Sequence, residues 1–254
     1  MRLCYNIDTY IIRGISILLS FINFSKTYKG GKKAVDDLSL TVEAGDIYGF
    51  IGHNGAGKTT SLKAAAGILS FSEGEIRING ISIKEHPVEC KKLMAYIPDN
   101  PDVYEFMTGI KYLNFIADMY GVGAERNADI EKYAATFEIK EALGSPISSY
   151  SHGMKQKLVI ISALIHHPKL LLLDEPFVGL DPKAAHILKT LFKEMTESGA
   201  AIFFSTHVLE VAEKLCNKIA IIKEGRLVAS GDTESVIGGD SSLEELFLEL
   251  NADE

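Results

Sequence analysis

Residues 52–59 have the composition and spacing of a phosphate-binding loop. They read Gly-His-Asn-Gly-Ala-Gly-Lys-Thr and match the pattern Gly-x4-Gly-Lys-[Ser/Thr]. Glycines let the backbone curl so that successive N–H groups point at phosphate oxygens, and a following helix adds the positive end of its dipole. We expect Lys58 to reach the β- and γ-phosphates and Thr59 to place its hydroxyl on Mg²⁺. This stretch therefore predicts a site for a nucleoside triphosphate.

The order of residues argues against two other classes of nucleotide site. A dinucleotide fingerprint reads Gly-x-Gly-x-x-Gly, whereas this loop reads Gly-x-x-Gly-x-Gly with lysine next. A GTPase switch needs Asn-Lys-x-Asp to read guanine, and the Asn217-Lys218 pair is followed by Ile219-Ala220. The predicted nucleotide contacts in and after the loop are Gly52, Asn54, Gly55, Ala56, Gly57, Lys58, Thr59 and Thr60.

Two acidic residues follow the most apolar segment of the chain. Residues 170–173 are all leucine, which is typical of a parallel strand covered on both faces, and Asp174 and Glu175 come next. An acidic residue that leaves a buried strand beside a phosphate loop is placed to hold Mg²⁺. Glu175 can polarise a water for attack on the γ-phosphate. The sequence therefore predicts phosphate hydrolysis at this strand end.

The surrounding residues have the patterns of elements that could position these groups. Residues 47–51 form a short apolar strand that leads into the loop, and residues 38–42 alternate as in a half-buried strand. Residues 76–83 read as a hairpin around Asn79-Gly80. Helical apolar faces lie at 110–120, 130–137 and 187–195, and residues 242–245 form a capping box that opens a short helix.

The first residues of the chain do not match the rest. One helical face is predicted for Ile11, Ile12, Ile15, Leu18, Leu19 and Ile22. Arg13 interrupts this stretch, which is short of the roughly 20 apolar residues that a membrane span needs. Two interpretations stay open: an amphipathic helix that touches a membrane or a partner, and a start site placed too far upstream. We favour the second, although no further Met occurs before Met94.

Composition limits the partners and the compartment. The chain has 254 residues with 34 acidic and 26 basic side chains, a net charge of −8. Such a chain is a poor candidate for binding nucleic acid, because phosphate contacts need clustered Lys and Arg. The cysteines Cys4, Cys90 and Cys216 are widely spaced, which excludes a disulfide framework and a Cys-x-x-Cys knuckle. A reducing compartment is the natural interpretation.

Several motifs together resemble the ATP-binding-cassette (ABC) ATPase family. Leu-Leu-Asp-Glu-Pro at 172–176, Gly-Leu-Asp-Pro at 179–182 and Ser-Thr-His at 205–207 follow one another in the order and spacing of that family. Tyr-Ser-His-Gly-Met-Lys-Gln at 150–156 stands where the family carries its signature sequence. The resemblance covers about Phe21 to Leu250, and the signature is most like that of the exporter-type branch.

This resemblance implies a fold and a division of the chain. The expected fold is an α/β P-loop NTPase with a mostly parallel core sheet, an antiparallel β subdomain and an inserted α-helical subdomain. We expect an N-terminal extension at 1–20, the ATPase domain at 21–238 with its helical subdomain at about 99–165, and a C-terminal helix and tail at 239–254.

The resemblance also implies roles for single residues. Two subunits would pair head to tail, with each ATP held between the phosphate loop of one and Ser151 to Gly153 of the other. Ser151 can cap the helix that runs to about Ile165, and a helix start is an anion site. Tyr28 matches the aromatic residue that stacks on adenine. The residues expected to act in hydrolysis are Glu175, His207, which matches the switch histidine, and Lys58. Asp181 matches the aspartate that links the two sites.

Two positions depart from the family pattern. The family usually has Gln where this chain has Asp99. Aspartate is shorter and charged, so Asp99 joins Thr59 and Asp174 as a predicted Mg²⁺ ligand, with less reach. In the signature, His152 replaces a glycine and Met154 a glutamine. Ser151 and Gly153 remain, so phosphate contact through hydroxyl and backbone is preserved.

The implied function is an ATP-binding and ATP-hydrolysing subunit that powers a membrane exporter. Its partners would be a transmembrane permease on a separate chain and a second ATPase subunit, identical or different, at the cytoplasmic face of the membrane. ATP and Mg²⁺ are the expected cofactors, and no nucleic acid is expected as partner. The alternative is a soluble ABC ATPase outside transport, of a cluster-assembly or regulatory type.

Overall fold

Two β-sheets and the helices around them make up residues 16–100, 102–238 and 242–250, the part of the chain that the computed structural model describes. The strands are β1 (Ile17–Thr27), β2 (Lys33–Glu43), β3 (Ile47–Ile51), β4 (Glu73–Ile78), β5 (Ile81–Ser82), β6 (Met94–Ile97), β7 (Leu170–Asp174), β8 (Ala201–Thr206), β9 (Lys218–Lys223) and β10 (Arg226–Asp232). The helices are α1 (Lys58–Ala65), α2 (Pro87–Leu93), α3 (Gly109–Tyr120), α4 (Arg126–Thr136), α5 (His152–Leu164), α6 (Pro182–Glu197), α7 (Leu209–Leu215), α8 (Thr233–Ile237) and α9 (Leu243–Glu249).

The larger sheet has the order β10-β9-β3-β8-β7-β6. Its strands from β9 to β6 pair in parallel, and β10 is an antiparallel edge strand. Every residue of β3 and β7 is buried, which confirms the two strands predicted from continuous apolar runs. Because parallel strands end at the same edge of a sheet, the loop after β3 and the acidic pair that ends β7 come together.

The smaller sheet is antiparallel and has the order β2-β1-β4-β5. On β2, Leu38, Leu40 and Val42 are buried and the residues between them are exposed, as the alternation predicts. In the predicted hairpin, β4 and β5 pair across Asn79-Gly80. Both turn residues have positive φ, 50° and 79°, which is the geometry of a two-residue hairpin loop whose twist matches the strands.

The first strand replaces part of the helical face predicted near the N-terminus. Ile11, Ile12 and Ile15 lie outside the described residues, whereas Leu18, Leu19 and Ile22 belong to β1, so the helical prediction is wrong for them. Pairing with both β2 and β4 outweighs the local period, which cannot distinguish helix from strand in short apolar runs. The sheet thus includes residues 17–20, ahead of the boundary predicted at residue 21.

Helices α3, α4 and α5 occupy the segment that follows β6. Gly121 ends α3 with φ of 70°, and α4 buries Ile130, Tyr133 and Ala134 on the predicted face. One apolar core lies between these helices, α6 and the larger sheet, and a second lies between the two sheets and α1. Within the described ranges, no helix combines the length and the apolar content needed to cross a membrane.

Candidate active site

The phosphate loop joins the end of β3 to the start of α1 and is packed tightly on both sides. A Cβ atom on Gly52 would lie 2.5 Å from the carbonyl oxygen of Ile222, and one on Gly57 would lie 2.5 Å from that of Ala34. Gly57 also has φ of 109°, a region that L-residues rarely adopt. Glycine is therefore required at both positions for the loop to lie between β2 and β9.

Lys58 is held at the mouth of this loop. Its Nζ atom donates to the carbonyl oxygens of Gly52 at 2.5 Å and of His53 at 3.1 Å, and the side chain is only 6% exposed. The same Nζ lies 4.0 Å from Oε1 of Glu175. Burial lowers the pKa of Lys58, and the charges of Glu175 and Asp174 oppose that effect. The ammonium group thus lies between the loop and the acidic strand end.

A cavity of about 470 Å³ opens beside the loop and gathers most of the predicted site residues. Its lining consists of Tyr28, Lys29, Lys32, Ala34, Asn54, Gly55, Gly57, Lys58, Thr59, Thr60, Asp99, Asp174 and Glu175. The Tyr28 ring is 42% exposed, and its hydroxyl lies 3.2 Å from that of Thr60. Gly52 and Ala56 belong to the loop without lining the cavity. The cavity combines an aromatic face, a phosphate loop and three carboxylates.

Asp174 has an oxygen atom that fits a bound cation. The side chain is 1% exposed, and its Oδ1 accepts a hydrogen bond from the hydroxyl of Ser205. Its Oδ2 is buried with no hydrogen-bond partner in the described structure. A buried carboxylate oxygen without a partner is costly, and a hard divalent cation would satisfy it. Thr59 and Asp99 line the same cavity, and a hydroxyl with two carboxylates is a donor set of the kind that Mg²⁺ prefers.

Glu175 turns out of the strand end toward His207. Its backbone has φ of 49°, a left-handed conformation, and its N–H is held by the carbonyl and the hydroxyl of Ser205 at 3.2 and 3.1 Å. Oε1 of Glu175 lies 2.9 Å from Nδ1 of His207. Two of the three residues predicted to act in hydrolysis are therefore in direct contact, and the third, Lys58, lies beside them.

The signature residues lie at the start of α5, away from this cavity. Ser151 caps the helix as predicted, accepting from the N–H of Met154 at 3.3 Å. Neither Ser151 nor Gly153 is among the described residues that line the cavity. The ring of His152 lies against Gly179, where an added Cβ atom would be 2.6 Å from its Cδ2. The start of α5 therefore packs on the segment that follows Glu175.

Comparison with known proteins identifies the family. The model of the ABC transporter family matches residues 35–178, more than half of the chain. The linearmycin resistance ATP-binding protein LnrL of Bacillus subtilis is 33% identical over 235 residues, which is 89% of this chain and 74% of that protein. The chain belongs to the ABC transporter family. The ATP-binding domains of this family hydrolyse ATP, so the chain is an ABC ATPase.

Solved structures confirm the predicted ABC fold. The structure of an ATP-binding subunit of an ABC transporter matches with a TM-score of 0.86 and 35% identity, over 92% of this chain and 99% of that one. A dimeric ATP-binding cassette in a post-hydrolysis state, bound to ADP and Pi, matches with a TM-score of 0.78 over 85% of this chain and 99% of that one. Its identity is 22%, so this second likeness shows the fold alone.

Three polar residues of the ABC site were not found from the sequence. Lys29 and Lys32 line the cavity, and Ser205 connects to both Asp174 and Glu175. Both lysines follow Tyr28 within four residues, so they could have been predicted from their closeness in sequence to the expected adenine contact. Ser205 stands in the Ser-Thr-His motif, but the contacts it makes come from the pairing of β7 with β8, which the sequence does not display.

Proposed function

We propose that this ABC ATPase drives a membrane exporter and that two subunits pair head to tail around two ATP molecules. The division of the site carries the proposal of pairing. The cavity holds the phosphate loop and the acidic strand end, whereas Ser151 and Gly153 lie outside it at the start of α5. A helix start with exposed N–H groups and a serine hydroxyl suits a phosphate that the same subunit does not hold. A second subunit would supply these groups and complete each site.

The predicted site residues around the cavity have distinct tasks in this proposal. Tyr28 stacks on adenine through its exposed ring face. The loop N–H groups and Lys58 bind the β- and γ-phosphates. Thr59, Asp174 and Asp99 hold Mg²⁺, which when bound neutralises part of the phosphate charge.

Glu175 is proposed as the general base for the attacking water. Its carboxylate takes a proton from the water as the water's oxygen bonds to the γ-phosphorus, while the bond from that phosphorus to the β–γ bridging oxygen breaks and ADP leaves. The contact of 2.9 Å between Oε1 and Nδ1 of His207 helps to hold the carboxylate near Lys58, whose Nζ lies 4.0 Å from the same oxygen. Ser205 supports the same orientation, because its hydroxyl oxygen accepts a hydrogen bond from the backbone N–H of Glu175.

A transmembrane permease on a separate chain is proposed to dock on an exposed aromatic patch, defined as Tyr104, Phe106, Phe115 and Met119. The exposed fractions of Phe106 and Met119 are 81% and 71%, and the Tyr104 ring contacts both phenylalanines. Clustered exposed apolar side chains of this kind mark interaction sites. A subunit docked on a permease would use ATP at the cytoplasmic face of the membrane.

Export is proposed as the direction of transport. The relative LnrL bears a name that refers to resistance, a task that exporters perform by removing a toxic compound. The signature of the Ser-x-Gly-Met-x-Gln type points to the same branch. Accumulation of cargo in inside-out vesicles that hold the chain with its permease, dependent on ATP, would test the direction.

Substitution Glu175→Gln tests the site and the pairing together. We expect the hydrolysis rate to fall by about 100- to 10,000-fold, because a general base is lost. ATP affinity should stay within the wild-type range, and the variant with ATP should elute at twice the monomer mass. The control Glu197→Gln, an exposed residue of α6, should behave as wild type.

Each result of this experiment bears on a separate part of the proposal. Undiminished hydrolysis in Glu175→Gln would contradict the role of Glu175 as base. A variant that binds ATP and stays monomeric would contradict head-to-tail pairing. Absence of ATP binding in the wild-type chain would overturn the assignment of the whole cavity.

A further inference from the structure

The C-terminal helix α9 reaches the phosphate loop and is firmly attached to the rest of the protein. Ser242 and Glu245 form a capping box at its start. The N–H of Leu243 donates to Oε2 of Glu213 on α7 at 3.0 Å, and the Leu243 side chain is fully buried. The helix is therefore a fixed support, and not a tail that merely lies near the site.

The ring of Phe247 on this helix packs against the ring of His53. Their centroids are 4.8 Å apart and their planes are inclined by 54°. His53 is the second residue of the phosphate loop, and its carbonyl oxygen accepts from both Nζ of Lys58 and the N–H of Ala56, each at 3.1 Å. The ring contact therefore restrains His53, whose carbonyl oxygen accepts the hydrogen bond from Lys58.

A second contact ties the end of α9 to the support beneath the loop. Nζ of Lys223 donates to the carbonyl oxygen of Leu250 at 3.2 Å, as expected for a cation at the end of a helix. Two residues later, the N–H of Gly225 donates to the carbonyl oxygen of Ala56 at 3.0 Å. The helix therefore contacts the loop directly through Phe247 and indirectly through the turn between β9 and β10.

We propose that Phe247 is a positioning residue for ATP binding, acting through His53 on the phosphate loop. Glycines impose few conformational restraints of their own, so the curled loop depends on its contacts, and the ring contact is one that stabilises the curled form. Loss of the ring should weaken ATP binding and change the maximal rate of hydrolysis little, because no atom of Phe247 is placed at the reacting groups. This inference rests on the proposed nucleotide site.

The test uses the full-length chain and compares three substitutions on α9. Phe247→Leu keeps an apolar side chain but removes the ring, Phe247→Tyr keeps the ring, and Leu248→Ala changes an exposed neighbour on the same helix. Aromatic pairs contribute enough that we expect Phe247→Leu to raise the Kd for ATP and the KM about two- to tenfold. We expect Phe247→Tyr and Leu248→Ala to match wild type, and kcat to stay constant in all three.

A double-substitution cycle separates positioning from a general loss of structure. His53→Ala alone should weaken ATP binding, and adding Phe247→Leu should weaken it no further, because the shared contact is already gone. Additive losses in the double variant, or an unchanged Kd in Phe247→Leu, would overturn the inference. An equal loss in Leu248→Ala would do the same. Failure of the wild-type chain to bind ATP would instead refute the proposed nucleotide site.

Discussion

At the scale of single residues, the hydroxyl of Ser205 and the ammonium group of Lys58 position and balance the acidic pair Asp174 and Glu175. Ser205 donates to Asp174 and accepts from the backbone of Glu175, so one side chain orders both members of the acidic pair. That arrangement leaves Oδ2 of Asp174 buried and without a partner in the described structure. Lys58 balances the pair from 4.0 Å away. A nucleotide with its cation would complete a site whose charges are already in place.

Asp99 gives this site a third carboxylate where the family usually has a neutral amide. Its Oδ1 accepts from the N–H of Asn100 at 2.8 Å, and the residue lines the cavity. Substitution Asp99→Asn keeps the acceptor and removes the charge. We expect the Mg²⁺ concentration that half-saturates ATP hydrolysis to rise about tenfold, in line with losses at metal sites. Titration of the hydrolysis rate with Mg²⁺ measures the effect.

The matched control for this prediction is Asp102→Asn, which changes an exposed aspartate of the same loop that does not line the nucleotide cavity. Equal half-saturation in the wild type and Asp99→Asn would show that Asp99 does not act on the cation. A similar rise in both variants would point to the charge of the loop as a whole.

The motif residues could be predicted because their spacing in the sequence identifies them. The residues that contact them in the fold could not be predicted in this way. Lys58 and Thr59 follow the loop glycines in sequence, so a local pattern is enough to find them. The Ser205 contact joins residues about 30 positions apart, and it exists only because β7 pairs with β8. The Phe247–His53 contact spans most of the chain and is likewise set by packing.

At the scale of elements, the ends of α5 and α6 meet beside the acidic strand end. Asp181 caps α6 by accepting from the N–H of Ala184 at 2.8 Å. Its other oxygen pairs with Nζ of Lys157 on α5, also at 2.8 Å. These two bonds lower the pKa of Asp181, the bond from Lys157 most. One carboxylate therefore starts a helix and joins it to the helix that carries the signature residues.

Removal of this cap should destabilise the protein measurably. We expect Asp181→Ala to lower the free energy of unfolding by about 0.5–2 kcal/mol, and Asp181→Asn to cost less because the amide oxygen can still cap. Urea unfolding measures both. Because Asp181 is half exposed, its ion pair with Lys157 adds little to these values.

The pH dependence of this stability has a definite sign. A carboxylate whose folded pKa lies below its unfolded value of 3.8 stabilises the protein above that pH. The contribution is lost as pH falls through the folded pKa. The stability difference between wild type and Asp181→Asn should therefore be largest above pH 3.8 and shrink below it. A difference that stays constant in acid would show that the charge of Asp181 makes no contribution.

Helices and strands whose apolar residues repeat regularly over their whole length were predicted correctly. Residues 17–22, which were predicted as helix and form a strand, show the limit of this method. The helix at 110–120 and the strand at 38–42 repeat their apolar period until glycine or a charged residue ends it, so local pattern and tertiary contacts agree. At 17–22 the apolar residues fit a helical face, but strand pairing on both sides decides the conformation. Pairing between distant segments is the information that a single sequence does not show.

At the scale of the whole molecule, the aromatic patch is connected to the helix that carries the signature residues. Glu105, between two patch residues, forms an ion pair with Lys155 of α5. The N–H of Ser148 donates to the carbonyl oxygen of Glu105 at 3.1 Å, just ahead of Ser151. A partner that pulls on the patch therefore acts on the start of α5. If the proposed pairing and docking hold, this link is a route by which closure of the paired ATP site would act on the permease.

The last prediction concerns capture of that permease. The tagged chain should recover a multi-span membrane protein from detergent-solubilised membranes of the organism that encodes it, identified by mass spectrometry. Combining Phe106→Ser with Met119→Ser should lower the recovery about tenfold, as expected when central apolar residues of an interface are removed. Substitution Val88→Ser is the matched control, since Val88 is 67% exposed and lies on α2, outside the patch. ATP hydrolysis by the isolated chain should be the same in all variants. Equal recovery by the patch variant would place the interface elsewhere, and recovery of soluble partners alone would favour an ABC ATPase outside transport.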